Sequence, residues 1–440
     1  MWKALDIETW IAGRRSDLDR VKGSVSEIIG RVRAEGDDAL VDLTKKFDGI
    51  DLAEIAVSDE EREAAYDQVD AELVESLVQA EVRISRFHEL QRGRDLWLQE
   101  MEPGITLGVK TTPLSRVGAY VPGGRAAYPS TALMCTIPAV VAGVREICCC
   151  TPPPINPITL VALDIAGVDE IYRVGGAQAI AAMAIGTETI PRVEKIVGPG
   201  NVFVTAAKML LRTIPGVEKI VGPGNVFVTA AKMLLRDEVE IDFPAGPSEI
   251  AVLADGMANP RFIAADILAQ AEHDPSAACV LVTTDAALAD AVGAEVKRMV
   301  EGADRREIIE KALDHSGYIV AGDLDEAVAT VNGIAPEHLS VQVADPLGIL
   351  TRFRSAGSIF VGPYAAVACG DYASGTNHVL PTAGYARLYS GLDVNHFCRR
   401  STVQMITREG LEAIGDVVET IADAEGLHAH AESVRVRRRR

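Results

Sequence analysis

An α/β fold with two largely parallel sheets, helical at both ends, is what the sequence predicts. Three observations carry that reading. Short β-type runs alternate with helix-type segments from about residue 105 to about residue 383, the pattern of strands joined by helical crossovers. The runs are too many for a single sheet to be favoured over two. The stretches before and after them have apolar residues at helical spacing.

In chain order, Ser16-Asp17-Leu18-Asp19 opens a first helix. Ser58-Asp59-Glu60-Glu61 opens another with a capping-box pattern, in which the serine hydroxyl and the glutamate three residues on satisfy each other's backbone N–H. Leu73, Leu77, Ala80, Ile84 and Phe87 then recur along one helical face, so residues 16–100 read mostly as helix. Strands are expected at 117–120, 146–149, 170–174, 195–197, 250–253, 279–283, 318–320, 339–342 and 358–361. Asn259-Pro260 is a strong helix start and Asp274-Pro275 a strong stop. After about residue 383 the chain returns to helix and ends in a C-terminal extension.

One segment departs from an ordinary α/β chain. Residues 189–212 and 213–236 are consecutive copies of one 24-residue unit, differing only at Arg192 versus Gly216. Solenoid repeats diverge and number three or more, so this is the duplication of a single β-α unit. Each copy holds a strand (Glu-Lys-Ile-Val), a Gly-Pro-Gly-Asn turn and a helix. Only one copy can fill the slot that a single unit would occupy. A further parallel unit emerges on the edge of the sheet away from the ligand-binding carboxyl edge, at the cost of an apolar helix face with no assigned partner.

The 440 residues are enough for two or more domains with sizeable cores. A net charge of −20 argues against nucleic-acid or anionic-membrane partners, which need a basic surface. The basic run Arg435-Val436-Arg437-Arg438-Arg439-Arg440 reads as a solvated end. Seven cysteines, without paired C-x-x-C spacing, fit a reduced cytoplasmic chain lacking a disulfide framework. The first residues have no apolar leader pattern, and no stretch is apolar enough to span a bilayer.

The polar chemistry is concentrated in four motifs, which hold five of the eight histidines. In Gln270-Ala271-Glu272-His273-Asp274, Gln270 and His273 share one helix face and can grip one ion. With Asp371 and His430 they make two nitrogen and two oxygen donors, suited to zinc and less selectively to manganese or cobalt. Pro336-Glu337-His338 precedes a strand, and at such a turn the two side chains can converge. A histidine near its free pKa of ~6.5 is a suitable base for an alcohol proton. Gly370 to His378 is a small, polar stretch that reads as a ligand-lining loop. Glu425-Gly426-Leu427-His428-Ala429-His430 is the fourth motif. A G-x-G-x-x-G fingerprint is absent. In its place stand Tyr120-Val121-Pro122-Gly123-Gly124, Val174-Gly175-Gly176-Ala177-Gln178 and the two Gly-Pro-Gly-Asn turns, each a strand end that can present backbone N–H groups to a pyrophosphate.

From roughly residue 20 to residue 434 the chain resembles the histidinol dehydrogenases. The resemblance rests on FHELQ, VGAYVPGG, VGGAQAIAA, KIVGPGN, AGPSEI, QAEHDP, APEHL, GDYASGTNHVLPT and the final Glu425…His430, all in family order. It implies two NAD-dependent oxidations of L-histidinol, through L-histidinal to L-histidine, at the end of histidine biosynthesis. It implies one zinc per subunit on Gln270, His273, Asp371 and His430, the last from the other subunit of a homodimer. Glu337 and His338 become the catalytic bases. Ser248, His378 and Glu425 become substrate contacts beside Gln270, His273, His338, Asp371 and His430. Tyr120, Gln178 and one of Asn201 or Asn225 become NAD contacts.

The full expectation is two Rossmann-like parallel-sheet domains, a helical N-terminal region and a helical C-terminal extension exchanged across the homodimer. The expected parts are an arm over 1–20, a first domain from 21–119 plus 250–330, a second on the NAD side from 120–249 plus 331–383, and a dimerisation extension over 384–440. Competing readings are a zinc/NAD dehydrogenase of another small alcohol, a zinc-binding but inactive product of the duplication, and a hydrolase using the same donors. The last leaves the glycine turns without a role.

Overall fold

The structure, a computed structural model, describes residues 2–7, 10, 22–123, 127–198, 219–220, 240–241 and 248–439. Two all-parallel sheets dominate it, as the alternation predicts. The first contains β3 (Arg116–Tyr120), β4 (Glu146–Cys150), β5 (Glu170–Tyr172), β6 (Lys195–Val197), β7 (Lys219–Ile220) and β8 (Glu240–Ile241), in the order β5-β4-β3-β6-β7-β8. The second contains β9 (Glu249–Ala254), β10 (Ala278–Thr283), β11 (Gly317–Val320), β12 (His338–Gln342) and β13 (Ser358–Val361), in the order β11-β10-β9-β12-β13.

Helices cover both faces of each sheet. On the first sheet, α1 (Lys22–Glu35), α2 (Asp37–Asp48) and α7 (Gly176–Ile185) pack on one face. On its other face lie α3 (Asp59–Tyr66), α4 (Ala71–Glu89), α5 (Pro129–Ala142) and α6 (Pro157–Ile165). The second sheet has α8 (Pro260–Ala271), α9 (Ala286–Val300) and α10 (Arg306–Leu313) on one side and α11 (Leu324–Ile334) on the other. Burial on both faces explains the near-continuous apolar runs. In β9, Ile250 and Val252 enter one core while Ala251 and Leu253 enter the other. The caps form as the sequence predicts. The Ser58 hydroxyl accepts the Glu61 N–H while Glu61 accepts the Ser58 N–H, and Asn259 accepts the Arg261 N–H at 2.9 Å. In the N-terminal arm, Trp2 donates to Ala289 O and Trp10 to His315 O. The helix expected to open at Ser16 begins outside the described residues.

Three expectations are corrected. Residues 96–100 are not helical: β1 (Leu96–Glu102), β2 (Ile105–Pro113) and β14 (Cys398–Ile406) form an antiparallel sheet, ordered β1-β2-β14. The C-terminal extension is therefore a strand followed by α13 (Arg408–Ala424) and α14 (His428–Arg438), not helix alone. Every residue of β1 is exposed, so no burial rhythm marked it in the sequence. Sheet membership also differs from the expected grouping. β12, which pairs with β9, and β13, which pairs with β12, lie within 331–383 but belong to the sheet of β9–β11 rather than to the sheet that contains 120–197. Thirdly, Gly370 to Tyr372 end a short helix, α12 (Val367–Tyr372), so only the remainder of that motif is loop.

Both copies of the duplicated unit place a strand in the first sheet. β6, from the first copy, pairs with β3; β7, from the second, pairs with β6 at the equivalent register, Lys195 opposite Lys219 and Ile196 opposite Ile220. The first copy thus takes the slot beside β3, and the second widens the sheet instead of being shed from it. Lys195 is fully buried, its Nζ donating to His396 O and lying 5.2 Å from the Phe397 ring centre. Asn201 and Asn225 lie outside the described residues.

Candidate active site

The second sheet gathers the acid–base residues at the amino ends of its strands. Ala335 caps α11 in a left-handed conformation and Pro336 redirects the chain, so that Glu337 immediately precedes β12 and His338 opens it. Neighbouring β13 passes close by, with Gly357 N–H on Pro336 O and Ser358 N–H on Glu337 O, both at 2.9 Å. A side chain at Gly357 would put its Cβ 2.6 Å from Glu337 O, so only glycine permits this approach.

Glu337 and His338 converge, with Glu337 Oε2 3.6 Å from His338 Nδ1, and both are buried. Each is held by the start of β9. Glu337 Oε2 accepts from Ser248 Oγ at 2.8 Å and from the Glu249 N–H at 2.9 Å. His338 Nδ1 lies 3.1 Å from Glu249 O. A carbonyl can only accept, so Nδ1 carries the proton and Nε2 is the basic nitrogen. That Nε2 is buried, has no hydrogen-bond partner among the described residues, and stands 3.8 Å from Asp371 Oδ1. His378 Nδ1 donates to Asp371 O at 3.0 Å, which likewise leaves its Nε2 for a ligand.

Burial favours the neutral form of every group here. It pushes the Glu337 carboxyl well above the usual carboxylate range, against the hydrogen bonds from Glu249 and Ser248. It raises Asp371 to about 7 and lowers His338 to about 3 and His378 to about 4. A cation would reverse the preference of Asp371 in favour of the carboxylate.

Gln270 is buried in the last turn of α8, and the His273 N–H continues the coil onto Gln270 O at 3.3 Å. His273 is an exposed residue, though burial around its imidazole lowers its pKa. The Gln270 amide nitrogen is buried without a partner among the described residues. An orphaned amide, an imidazole and a carboxyl beside the negative end of a helix dipole suit a divalent ion such as zinc. Among the described residues, no group of three or more His, Cys, Asp or Glu is placed to hold a metal. Glu425 and His430 are exposed on the C-terminal helix pair, where α13 packs against α14 and β14.

The expected nucleotide residues gather elsewhere, at the carboxyl edge of the first sheet. Tyr120 ends β3, and its buried hydroxyl accepts the Gly176 N–H at 3.1 Å. Gln178 is buried one residue pair further along α7. Gly198, which follows β6, has φ +117°, and a Cβ there would lie 2.0 Å from Tyr120 O. Three of the glycine turns found in the sequence therefore converge around Tyr120.

Sequence reasoning missed Glu249, whose backbone holds both catalytic candidates; its motif, AGPSEI, was the available signal. It also missed that Asn377 pins the polar loop, donating to Met134 O at 2.8 Å and meeting His88 Nε2 at 3.3 Å.

A parallel-sheet scaffold with an imidazole–carboxyl pair beside nitrogen and oxygen donors is the arrangement of an α/β enzyme, with groups suited to acid–base chemistry. The family model described as histidinol dehydrogenase matches residues 12–213 and 211–438, two stretches that meet where the repeat copies join. The chain belongs to the histidinol dehydrogenase family. The histidinol dehydrogenase of Methanosarcina barkeri is 48% identical over 431 residues, 97% of this chain and 94% of that protein. That of Methanothermobacter thermautotrophicus is 49% identical over 430 residues, 97% of this chain and 95% of that protein. The crystal structure of histidinol dehydrogenase from Elizabethkingia anophelis matches with a TM-score of 0.88 at 37% identity, covering 99% of this chain and 96% of that one.

Proposed function

We propose that the chain oxidises L-histidinol to L-histidine, through L-histidinal, in two NAD-dependent steps. The observation that carries this reading is the pairing of Glu337 and His338 on one buried scaffold, two bases for two successive proton transfers. In the first oxidation His338 Nε2 takes the proton from the hydroxyl oxygen while the carbon gives up a hydride to NAD, and the alcohol becomes an aldehyde. Glu337, as carboxylate, takes a proton from water as its oxygen adds to the aldehyde, and loss of a second hydride leaves the carboxylic acid. Ser248 donates to Glu337, which fixes the carboxylate that water must meet. Ser248, His378 and the partner subunit's Glu425 bind the substrate.

Gln270, His273, Asp371 and the partner subunit's His430 would hold one zinc, which when bound would anchor the imidazole and amine of histidinol. NAD, the hydride acceptor, would lie along the turns around Tyr120 and Gln178. Between Asn201 and Asn225 we assign Asn201, because its copy supplies β6, the neighbour of β3.

A homodimer is supported by the exposed apolar residues Trp97, Met101, Met405, Val417 and Ile421 on the antiparallel sheet and α13. Among the described residues no helix is long and apolar enough to cross a membrane. Three adjacent free cysteines, Cys148 to Cys150, support a reducing cytoplasm.

NADH absorbance during oxidation of L-histidinol by the full chain tests the proposal. Two NADH per histidinol, abolished by chelator and restored by zinc, are expected. A zinc-loaded dimer that yields no NADH would overturn it.

A further inference from the structure

A polar seam runs through the interface between α8 and the sheet, where apolar residues are the rule. Asp266 and Gln270 lie one turn apart on α8, and both are buried. Opposite them, alternate residues of β12, namely His338, Ser340 and Gln342, share one strand face and are buried too. Gln270 and His338 occupy the end of this seam that belongs to the active site. Asp266, Ser340 and Gln342 occupy the other end and have no role in the chemistry described above.

Asp266 Oδ2 accepts from Gln342 Nε2 at 3.3 Å, and the same Nε2 meets Ser340 Oγ at 3.1 Å. α12, which begins at Val367, packs against α8. One side chain thus joins α8 to β12. α8 carries Gln270 and leads to His273, β12 opens with His338, and α12 carries Asp371. A buried carboxyl is retained against its desolvation cost only while its donor stays in place.

We propose that Asp266 is a positioning residue, which sets the spacing of the metal donors Gln270 and His273 and the base His338 by tying α8 to β12. The roles of those three residues rest on the function proposed above; the bracket itself rests on the contacts just described. Asp266 is outside the metal and substrate set proposed above, so its removal should loosen the site without removing a ligand.

The test compares Asp266→Ala, Asp266→Asn and Gln342→Leu in the full chain. Zinc affinity is read by competition with a chromophoric chelator, and folding by circular dichroism and thermal melting. Asp266→Ala, folded, should bind zinc about tenfold more weakly than the parent, the scale on which outer hydrogen-bond partners act. Asp266→Asn, which keeps an acceptor, should recover most of that loss, and Gln342→Leu should show a smaller loss. A folded Asp266→Ala with zinc affinity within twofold of the parent would sink the proposal. If Asp266→Ala does not fold, Gln342→Leu decides by the same criterion. The chelator competition needs no turnover, so it stays informative even if the parent oxidises no histidinol.

Discussion

The two parallel sheets present their chemistry at opposite ends of their strands. On the first sheet the glycine turns gather at the carboxyl edge, where α7 begins at Gly176. A helix start offers free N–H groups and a positive dipole end, which suit a pyrophosphate. On the second sheet, Glu337, His338, Ser248 and Glu249 gather at the amino ends of β12 and β9, where α8 finishes at Ala271. A helix end offers negative charge, which suits a cation. One β-α architecture therefore offers one end suited to an anion and another suited to a cation, according to which end of its helices is used.

The sheets differ as much in tolerance. The second has a buried polar seam whose members depend on one another. The first has apolar faces, and a duplicated strand has entered it at the register of the original. Changes in the second sheet should therefore be felt in the chemistry, and changes at the outer strands of the first should not.

The largest effect is expected from His338→Asn. Loss of a general base lowers rates by about 10²–10⁴-fold, so NADH formation should fall by about that factor with the melting temperature little changed. A rate within tenfold of the parent would assign the first proton transfer to another group.

Next comes a comparison within the first sheet. Gly198→Ala forces a Cβ to 2.0 Å from Tyr120 O at φ +117°, so it should destabilise the fold by about 2 kcal/mol or more and raise the KM for NAD. Gly222→Ala, the same change in the copy whose strand does not border β3, should do less on both counts. Equal effects of the two changes in melting and NAD kinetics would remove the distinction between the copies.

An intermediate effect is expected from pH. Burial lowers His88 to about 4, with Asp393 opposing only in part. The folded state then keeps His88 neutral while the unfolded chain takes up a proton below its ordinary pKa of ~6.5. Stability from this residue is complete above ~6.5 and declines as pH falls toward about 4, at up to ~1.4 kcal/mol per pH unit. Chemical denaturation from pH 7 to pH 4 should show a shallower decline for His88→Gln than for the parent; parallel curves would discount His88.

The smallest effect should come from deleting residues 213–236, which removes β7 and lets β8 meet β6. NADH formation within about threefold of the full chain is expected, since the lost strand borders no catalytic residue. Abolished turnover in a folded deletion variant would give the second copy a part in the active form.

Much of this was legible in the sequence, and the limits follow from range. Strands β9 and β10 are short, largely apolar runs buried on both faces, and there burial shows in residue type. Helix caps at Ser58 and Asn259 are local and were equally plain. The residue types of the site, imidazole, carboxyl and amide, limited its chemistry to acid–base work beside a cation.

Tertiary structure alone decided what those residues meet. Partner choice is non-local, so no periodicity could show that β12 and β13 join β9, that exposed β1 and β14 pair across β2, or that both repeat strands lie side by side. Nor could it show that the backbone of Glu249 holds Glu337 and sets the tautomer of His338, or that Asp266 meets Gln342 of β12. Hydrogen bonds between elements far apart in the chain leave no mark on local composition, because the residue types that make them are chosen for partners that only folding brings near.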